Sequence, residues 1–295
     1  MDNHISPLRY PGGKTALWKY LNKVIQSNEL VNVAYIEPFA GGAGAALNLL
    51  TKGFVDKIVL NDLDERIYKF WKAVLNQTDG FIARVISTPV KISEWKIQRD
   101  LLKDKEFIKH GSDIDVGFAS FYLNRCNRSG ILSSGPVGGM KQDGEWKIDA
   151  RFNKINLIKR IELISKYKSK IELFNKDGVD FLKTYLALKS PDKSNYLIYL
   201  DPPYYQKGRD LYKYYMEAQE HERLSNYLKE NSDLKWVLSY DNIAFIKNIY
   251  KGVQRNNLKI RYSIHKASIG KELLISSENC ILPKIKNKHC FTLFV

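Results

Sequence analysis

Residues 33–62 read VAYIEPFAGGAGAALNLLTKGFVDKIVLND, and few folds accept that order of elements. An apolar run (33–37) ends at Pro38. A turn carrying Gly41, Gly42 and Gly44 follows, and an apolar helical stretch (43–52) leads into a second strand (57–62). A strand that enters a helix through glycines and then repeats is a βαβ unit, whose two strands lie parallel. The alternation returns downstream, with strands at 170–176, 196–200 and 235–240 and helices at 178–189, 217–230 and 242–250. Helical periodicity also marks 14–30 and a stretch opening at Asp64, whose carboxylate suits an N-cap. Residues 258–277 read as an antiparallel hairpin closing the sheet. The expected fold is α/β, a Rossmann-like, doubly wound sheet.

Between 85 and 168 the alternation lapses. Helical runs near 93–109 and 153–168 flank a polar, glycine-rich middle, NRSGILSSGPVGGMKQDGEWKIDARFNK (127–154). This reads as an inserted, mainly helical module, dividing the chain into 1–84, the insertion 85–168, and 169–295. The formal net charge is +15, an excess that suits a polyanionic partner such as nucleic acid, although a lysine-rich solvated surface would give the same balance. Cys126, Cys280 and Cys290 have no metal-ligand spacing, and no metal site is expected. With no signal-peptide pattern and no run of about 18 apolar residues, the expectation is a soluble, cytoplasmic protein without a membrane partner.

Glycines between a strand and a helix let the backbone approach a ligand closely. Asp62, ending the next strand, can accept hydrogen bonds from both ribose hydroxyls of a nucleoside. A purely structural turn would also use glycine here, and NAD is a rival ligand, but the loop lacks the G-x-G-x-x-G pattern. Glu37, just before the loop, is poor company for a pyrophosphate and better company for a cation. S-adenosylmethionine, with its ammonium and sulfonium groups, meets that preference.

The strand LIYL (197–200) runs directly into Asp201, Pro202, Pro203, Tyr204 and Tyr205. In an open α/β sheet the carboxyl ends of the strands are where ligands bind. An amine on a flat ring is a weak nucleophile because its lone pair is delocalised. Accepting hydrogen bonds from both of its protons localises that pair. Asp201 can supply one acceptor and the Pro202 carbonyl another, while the prolines fix the turn and carry no N–H to compete. Tyr204 can stack on the ring.

These motifs, in this order, resemble the Dam-type adenine-N6 DNA methyltransferases over nearly the whole chain. PLRYPGGK (7–14) looks like that family's N-terminal motif, which implies that Tyr10 and Lys14 contribute to the cofactor and active-site pocket. EPFAGGAG (37–44) resembles its methyl-donor loop, so Glu37, Phe39, Gly41 and Gly42 would line the cofactor, with Asp62 in LNDLD (60–64) as the ribose-binding acid. FNKDGVDFL (174–182) is similar to the segment whose acid, here Asp177, contacts the cofactor adenine, and LDPPYY (200–205) matches the catalytic motif. The resemblance implies S-adenosylmethionine as methyl donor, an adenine flipped out of double-stranded DNA as acceptor, and a restriction endonuclease as a potential partner.

It also implies that the insertion recognises DNA. FYLNRCNRSGIL (121–132) resembles the loop that enters DNA beside the extruded base, which makes Asn124, Arg125, Arg128 and Ser129 candidates for phosphate and base-edge contacts. Some relatives carry an aromatic wedge where Arg128 stands; a guanidinium there can stack by its plane or hold phosphate. Read from the residues alone, the cradle at 201–204 would equally suit cytosine-N4 in DNA or adenine in RNA. A silent DNA-binding relative is a further alternative.

Overall fold

In the computed structural model, which describes residues 4–9, 14–188, 194–205, 215–263, 267–284 and 291–293, the apolar runs lie side by side in one eight-stranded sheet. The strands are β1 Ala34–Glu37, β2 Lys57–Asn61, β3 Ile171–Phe174, β4 Tyr196–Leu200, β5 Trp236–Asp241, β6 Gln254–Ser263, β7 Ala267–Ser276 and β8 Phe291–Leu293. Their spatial order is β3-β2-β1-β4-β5-β7-β6-β8. Strands β3 to β5 in that order run parallel, β7 is antiparallel to both β5 and β6, and β8 parallels β6. All of β1 and β4 is buried, as strands covered on both faces must be. The sheet reverses its winding between β1 and β4, so the segments after Glu37 and after Leu200 leave adjacent strands at the same end. That is the switch point where open α/β sheets hold ligands.

The helices are α1 Trp18–Ser27, α2 Gly44–Thr51, α3 Glu65–Asn76, α4 Thr78–Ser87, α5 Ile92–Leu101, α6 Lys105–His110, α7 Asp113–Cys126, α8 Lys154–Ser165, α9 Gly178–Leu188, α10 Ala218–Glu230 and α11 Ala244–Ile249. The chain forms two compact units: a sheet unit of Lys14–Leu63 with Lys170–Phe294, and a helical unit of Met1–Gly13 with Asp64–Ser169. Helix α3 and the first residues of the chain thus cluster with the helical unit, earlier than the change of pattern at 85 suggests.

In the sheet unit the core is apolar around Ile36, Ile198, Leu200, Trp236, Leu238 and Ile275, with Phe181 and Leu224 contributed by α9 and α10. In the helical unit, Phe70, Phe81, Phe118 and Phe121 meet as stacked and edge-on rings. Gly117 is what lets α7 lie against α3. A Cβ there would stand 2.8 Å from the Lys69 carbonyl oxygen and 2.8 Å from the Phe70 Cα. Lys69, itself buried, donates to the carbonyls of Ile108, Lys109 and Gly111, closing the end of α6 with a cation.

Some expected elements divide or shift. The single helix expected at 93–109 is two, because Asp104 accepts from Glu106 N and Phe107 N and so caps a new helix. Residues 121–126, expected in a loop, are the last turns of α7. Asp64 does cap α3, accepting from Arg66 N at 3.1 Å.

Candidate active site

At the end of β4, Asp201 meets a buried cation. Lys14, with a side chain 4% exposed, places Nζ 3.1 Å from Asp201 Oδ1 and 3.7 Å from Glu272 Oε2. Glu272 is 3% exposed and Asp201 23%. The Ser239 hydroxyl donates to the same Asp201 Oδ1 at 2.7 Å. Asp201 Oδ2 has no hydrogen-bond partner among the described residues, so one carboxylate oxygen is anchored and the other is on offer. Tyr204 lies beneath Lys14, whose Nζ is 5.0 Å from its ring centroid, and packs beside Tyr240. Burial, then the charges of Glu272 and Asp201, hold the Tyr204 phenol far above its ordinary pKa, so it remains a neutral ring. Pro202 is buried in the turn.

At the neighbouring strand end, Gly41 (φ +47°) and Ala43 (φ +48°) are both left-handed, the conformation that opens the turn into α2. Asp62 accepts from Gly41 N at 2.7 Å, tying the acid of β2 to the loop of β1. Asn61 reinforces that tie by donating to the Pro38 and Lys176 carbonyls. Phe39 lies against Gly178, where a Cβ would come within 2.5 Å of the ring. Asp177 caps α9 through Val179 N and Asp180 N, both on Oδ1, and Arg223 reaches that oxygen at 3.0 Å. An acid beside a glycine turn, a ring packed on glycine and a second acid at a helix start are the groups a nucleoside requires. The residues fit S-adenosylmethionine.

Glu37 ends β1. It is buried, accepts from Tyr35 OH at 2.9 Å, and burial followed by the Asp201 charge pushes its pKa up to about 8. Without ligand, burial thus favours its protonated form. A cation placed beside it would draw the carboxylate back out, so its preference for a cationic ligand survives in a different form. The linkage has a definite sign. A folded-state pKa above the ordinary 4.5 contributes stability that is complete below about pH 4.5 and is lost as pH rises through about 8. Melting curves of the ligand-free protein from pH 5 to 8.5 are expected to show Glu37→Gln gaining on wild type as pH rises, by up to a few kcal/mol. Parallel curves would show that Glu37 ionises normally.

In the helical unit the candidates separate. Asn124 is 1% exposed, accepts from Arg9 N at 2.7 Å and donates to the carbonyls of Arg9 (2.6 Å) and Gly130 (2.8 Å). Its amide is occupied in joining the N-terminal segment to the turn after α7, which corrects the expectation of a base-edge contact. Arg125 donates through Nε to the Arg151 carbonyl at 2.7 Å; burial, then the charges of Arg9 and Arg160, lower its pKa. Arg128 is exposed, and Ser129 sits in a left-handed turn at φ +55°. Of the four, Arg128 and Ser129 stand where a ligand could reach them. Gly130 (φ +73°) lets the turn close on Arg9, whose carbonyl oxygen would lie 2.4 Å from a Cβ there.

A model of the D12 class N6 adenine-specific DNA methyltransferases matches residues 10–264. The chain belongs to that family. As a D12-class enzyme it transfers a methyl group from S-adenosylmethionine to N6 of adenine in DNA. It is 24% identical over 272 residues to the type II methyltransferase M.CviBI of Paramecium bursaria Chlorella virus NC1A, covering 90% of this chain and 95% of that protein. It is 24% identical over 263 residues to the type II methyltransferase M.MjaIII of Methanocaldococcus jannaschii, covering 83% and 87%. Among solved structures, a class I S-adenosylmethionine-dependent methyltransferase from Listeria monocytogenes aligns with 99% of this chain and 66% of that one, at 11% identity and a TM-score of 0.39. The strand order itself defines the fold.

Three residues of this D12-class site escaped the sequence reading: Ser239, Tyr199 and Glu272. A signal existed for two of them. Ser239 interrupts the apolar run WVLSY and Glu272 opens the run ELLI, and a polar residue in a buried strand usually has a partner. Tyr10 lies outside the described residues, as does the tyrosine-rich stretch 206–214. His221 is buried with Nδ1 on the Tyr240 hydroxyl, and burial lowers its pKa to about 4.

Proposed function

We propose that this D12-class enzyme methylates adenine in double-stranded DNA after flipping it from the helix, with Asp201, Pro202 and Tyr204 holding the flipped base. The observation that carries this reading is the unshared Oδ2 of Asp201 at the carboxyl end of β4. Oδ2 and the Pro202 carbonyl accept the two amino protons, which localises the nitrogen lone pair. Tyr204 offers its ring face to the base. S-adenosylmethionine, when bound, supplies an electrophilic methyl group on a sulfonium. Asp62, Glu37, Phe39, Gly41, Gly42 and Asp177 are the residues that would hold it, and Lys14 acts by fixing Asp201. In the helical unit, residues 85–168 carry target recognition, with Arg128 and Ser129 as contacts to DNA and Arg125 holding the 151 turn behind them.

Both curated relatives bear the designation type II, and on that likeness we assign a restriction endonuclease of the same specificity as partner. Among the described residues no helix is long and apolar enough to cross a membrane. The test is transfer from methyl-labelled S-adenosylmethionine to unmethylated duplex DNA, followed by digestion and separation of deoxynucleosides. Label is expected on N6-methyldeoxyadenosine alone, at one short sequence. Label only on single strands would remove base flipping from the account, and modification scattered over unrelated sequences would remove the restriction partner.

A further inference from the structure

Asp201 is held by Ser239, the nearer of two linked hydroxyls on adjoining strands. The register of β4 on β5 matches Tyr199 with Val237 and Leu200 with Leu238, so the next residue on each strand is Asp201 and Ser239. Ser239 is wholly buried. Its Oγ lies 2.7 Å from Asp201 Oδ1 and 2.9 Å from the Tyr199 hydroxyl, which is buried as well. A hydroxyl has one proton to give. Asp201 Oδ1 takes the proton of Ser239, so Ser239 must accept that of Tyr199. Burial and the nearby Asp201 charge hold Tyr199 far above its ordinary pKa, and it therefore stays a donor. The direction of the chain is fixed: Tyr199 to Ser239 to Oδ1.

A carboxylate at the end of a strand can rotate about χ2, and either oxygen could face the ligand. Lys14 lies 3.1 Å from the same Oδ1, but a point charge attracts either oxygen and gives the carboxylate no direction. The Ser239 hydroxyl has a direction, because Tyr199 sets where its proton points. We propose that Tyr199 and Ser239 form a positioning relay that locks the Asp201 carboxylate with Oδ1 inward, so that Oδ2 alone meets the substrate amine. This rests on reading Asp201 as the catalytic acceptor. Neither hydroxyl touches the reacting atoms; both act through Asp201. The relay also explains why a serine occupies a buried position in an apolar strand, where valine or alanine would otherwise serve.

The test compares Ser239→Ala, Ser239→Thr and Tyr199→Phe in the full chain, by single-turnover methyl transfer to DNA and by separate dissociation constants for S-adenosylmethionine and DNA. Ser239→Ala is expected to slow the chemical step about 30-fold with both dissociation constants within about twofold of wild type. Ser239→Thr, which restores the hydroxyl, should return the rate to within about threefold, and Tyr199→Phe should fall between, at about fivefold slower. Should Ser239→Ala fail to fold, Tyr199→Phe still decides, since an unchanged rate would overturn the relay. Equal losses in Ser239→Ala and Ser239→Thr would also overturn it, by showing that packing and not the hydroxyl matters. Asp201→Ala separates the layers. If that variant keeps its activity, the underlying reading of Asp201 fails. If it is dead while Ser239→Ala is fast, only the relay fails.

Discussion

Asp201→Ala is expected to abolish methyl transfer, with a loss of about 10³-fold or more in the single-turnover rate, while S-adenosylmethionine and DNA still bind. The size follows from what the side chain does. Its Oδ2 is the unshared acceptor at the end of β4, and without it the amine keeps its lone pair in the ring. Binding survives because the glycine turn, Asp62 and Asp177 do not depend on Asp201: Asp62 is tied to Gly41, and Asp177 to the start of α9. Folding survives too. Lys14 keeps a second carboxylate, Glu272, at 3.7 Å, so the substitution does not strand a buried cation. Asp201→Asn is the sharper variant. It preserves shape and one acceptor, but turns an N–H either toward the amine, which has none to accept it, or toward Lys14, which repels it. It should be nearly as slow as Asp201→Ala. An alanine variant that still methylates would place the chemistry elsewhere in the chain.

The sheet and the order of its motifs were legible because they rest on local signals. Period and punctuation mark β1, the turn and β2, and a carboxylate against two prolines marks the end of β4. What was not legible has physical reasons. Helix α7 is buried along nearly its whole length, from Val116 to Cys126 with Arg125 the exception, so it shows no amphipathic stripe and reads as an apolar segment running into a loop. That is why Asn124 looked available for DNA when its amide in fact joins Arg9 to Gly130. Ser239 and Glu272 come to the site through strand register, a long-range property that no local pattern reports. The raised pKa of Glu37 comes from burial, and sequence does not show how deep a strand end lies.

Lys14→Met is expected to destabilise the protein more than any other substitution at the site, by about 3–5 kcal/mol, or a melting temperature lower by roughly 10 °C. Lys14 stands between Asp201 and Glu272, and the apolar replacement leaves two carboxylates facing one another with no cation between them. Asp201 has some access to water; Glu272, at 3% exposure in the buried stretch 272–276 of β7, has almost none, and the cost should fall mainly there. The double variant Lys14→Met/Glu272→Gln tests that assignment. Neutralising Glu272 should return most of the lost stability, giving a coupling energy of about 2 kcal/mol or more in the cycle. Activity should not return with it, because the double variant still lacks the ammonium that anchors Oδ1 of Asp201. Failure of the glutamine to rescue stability would instead assign the loss to packing against Tyr204, whose ring the lysine covers. Stability and catalysis are thus expected to separate at one residue. Lys14 keeps the buried acid of the antiparallel strand β7 tolerable, and in the same position it holds the acid of β4 in place for the amine.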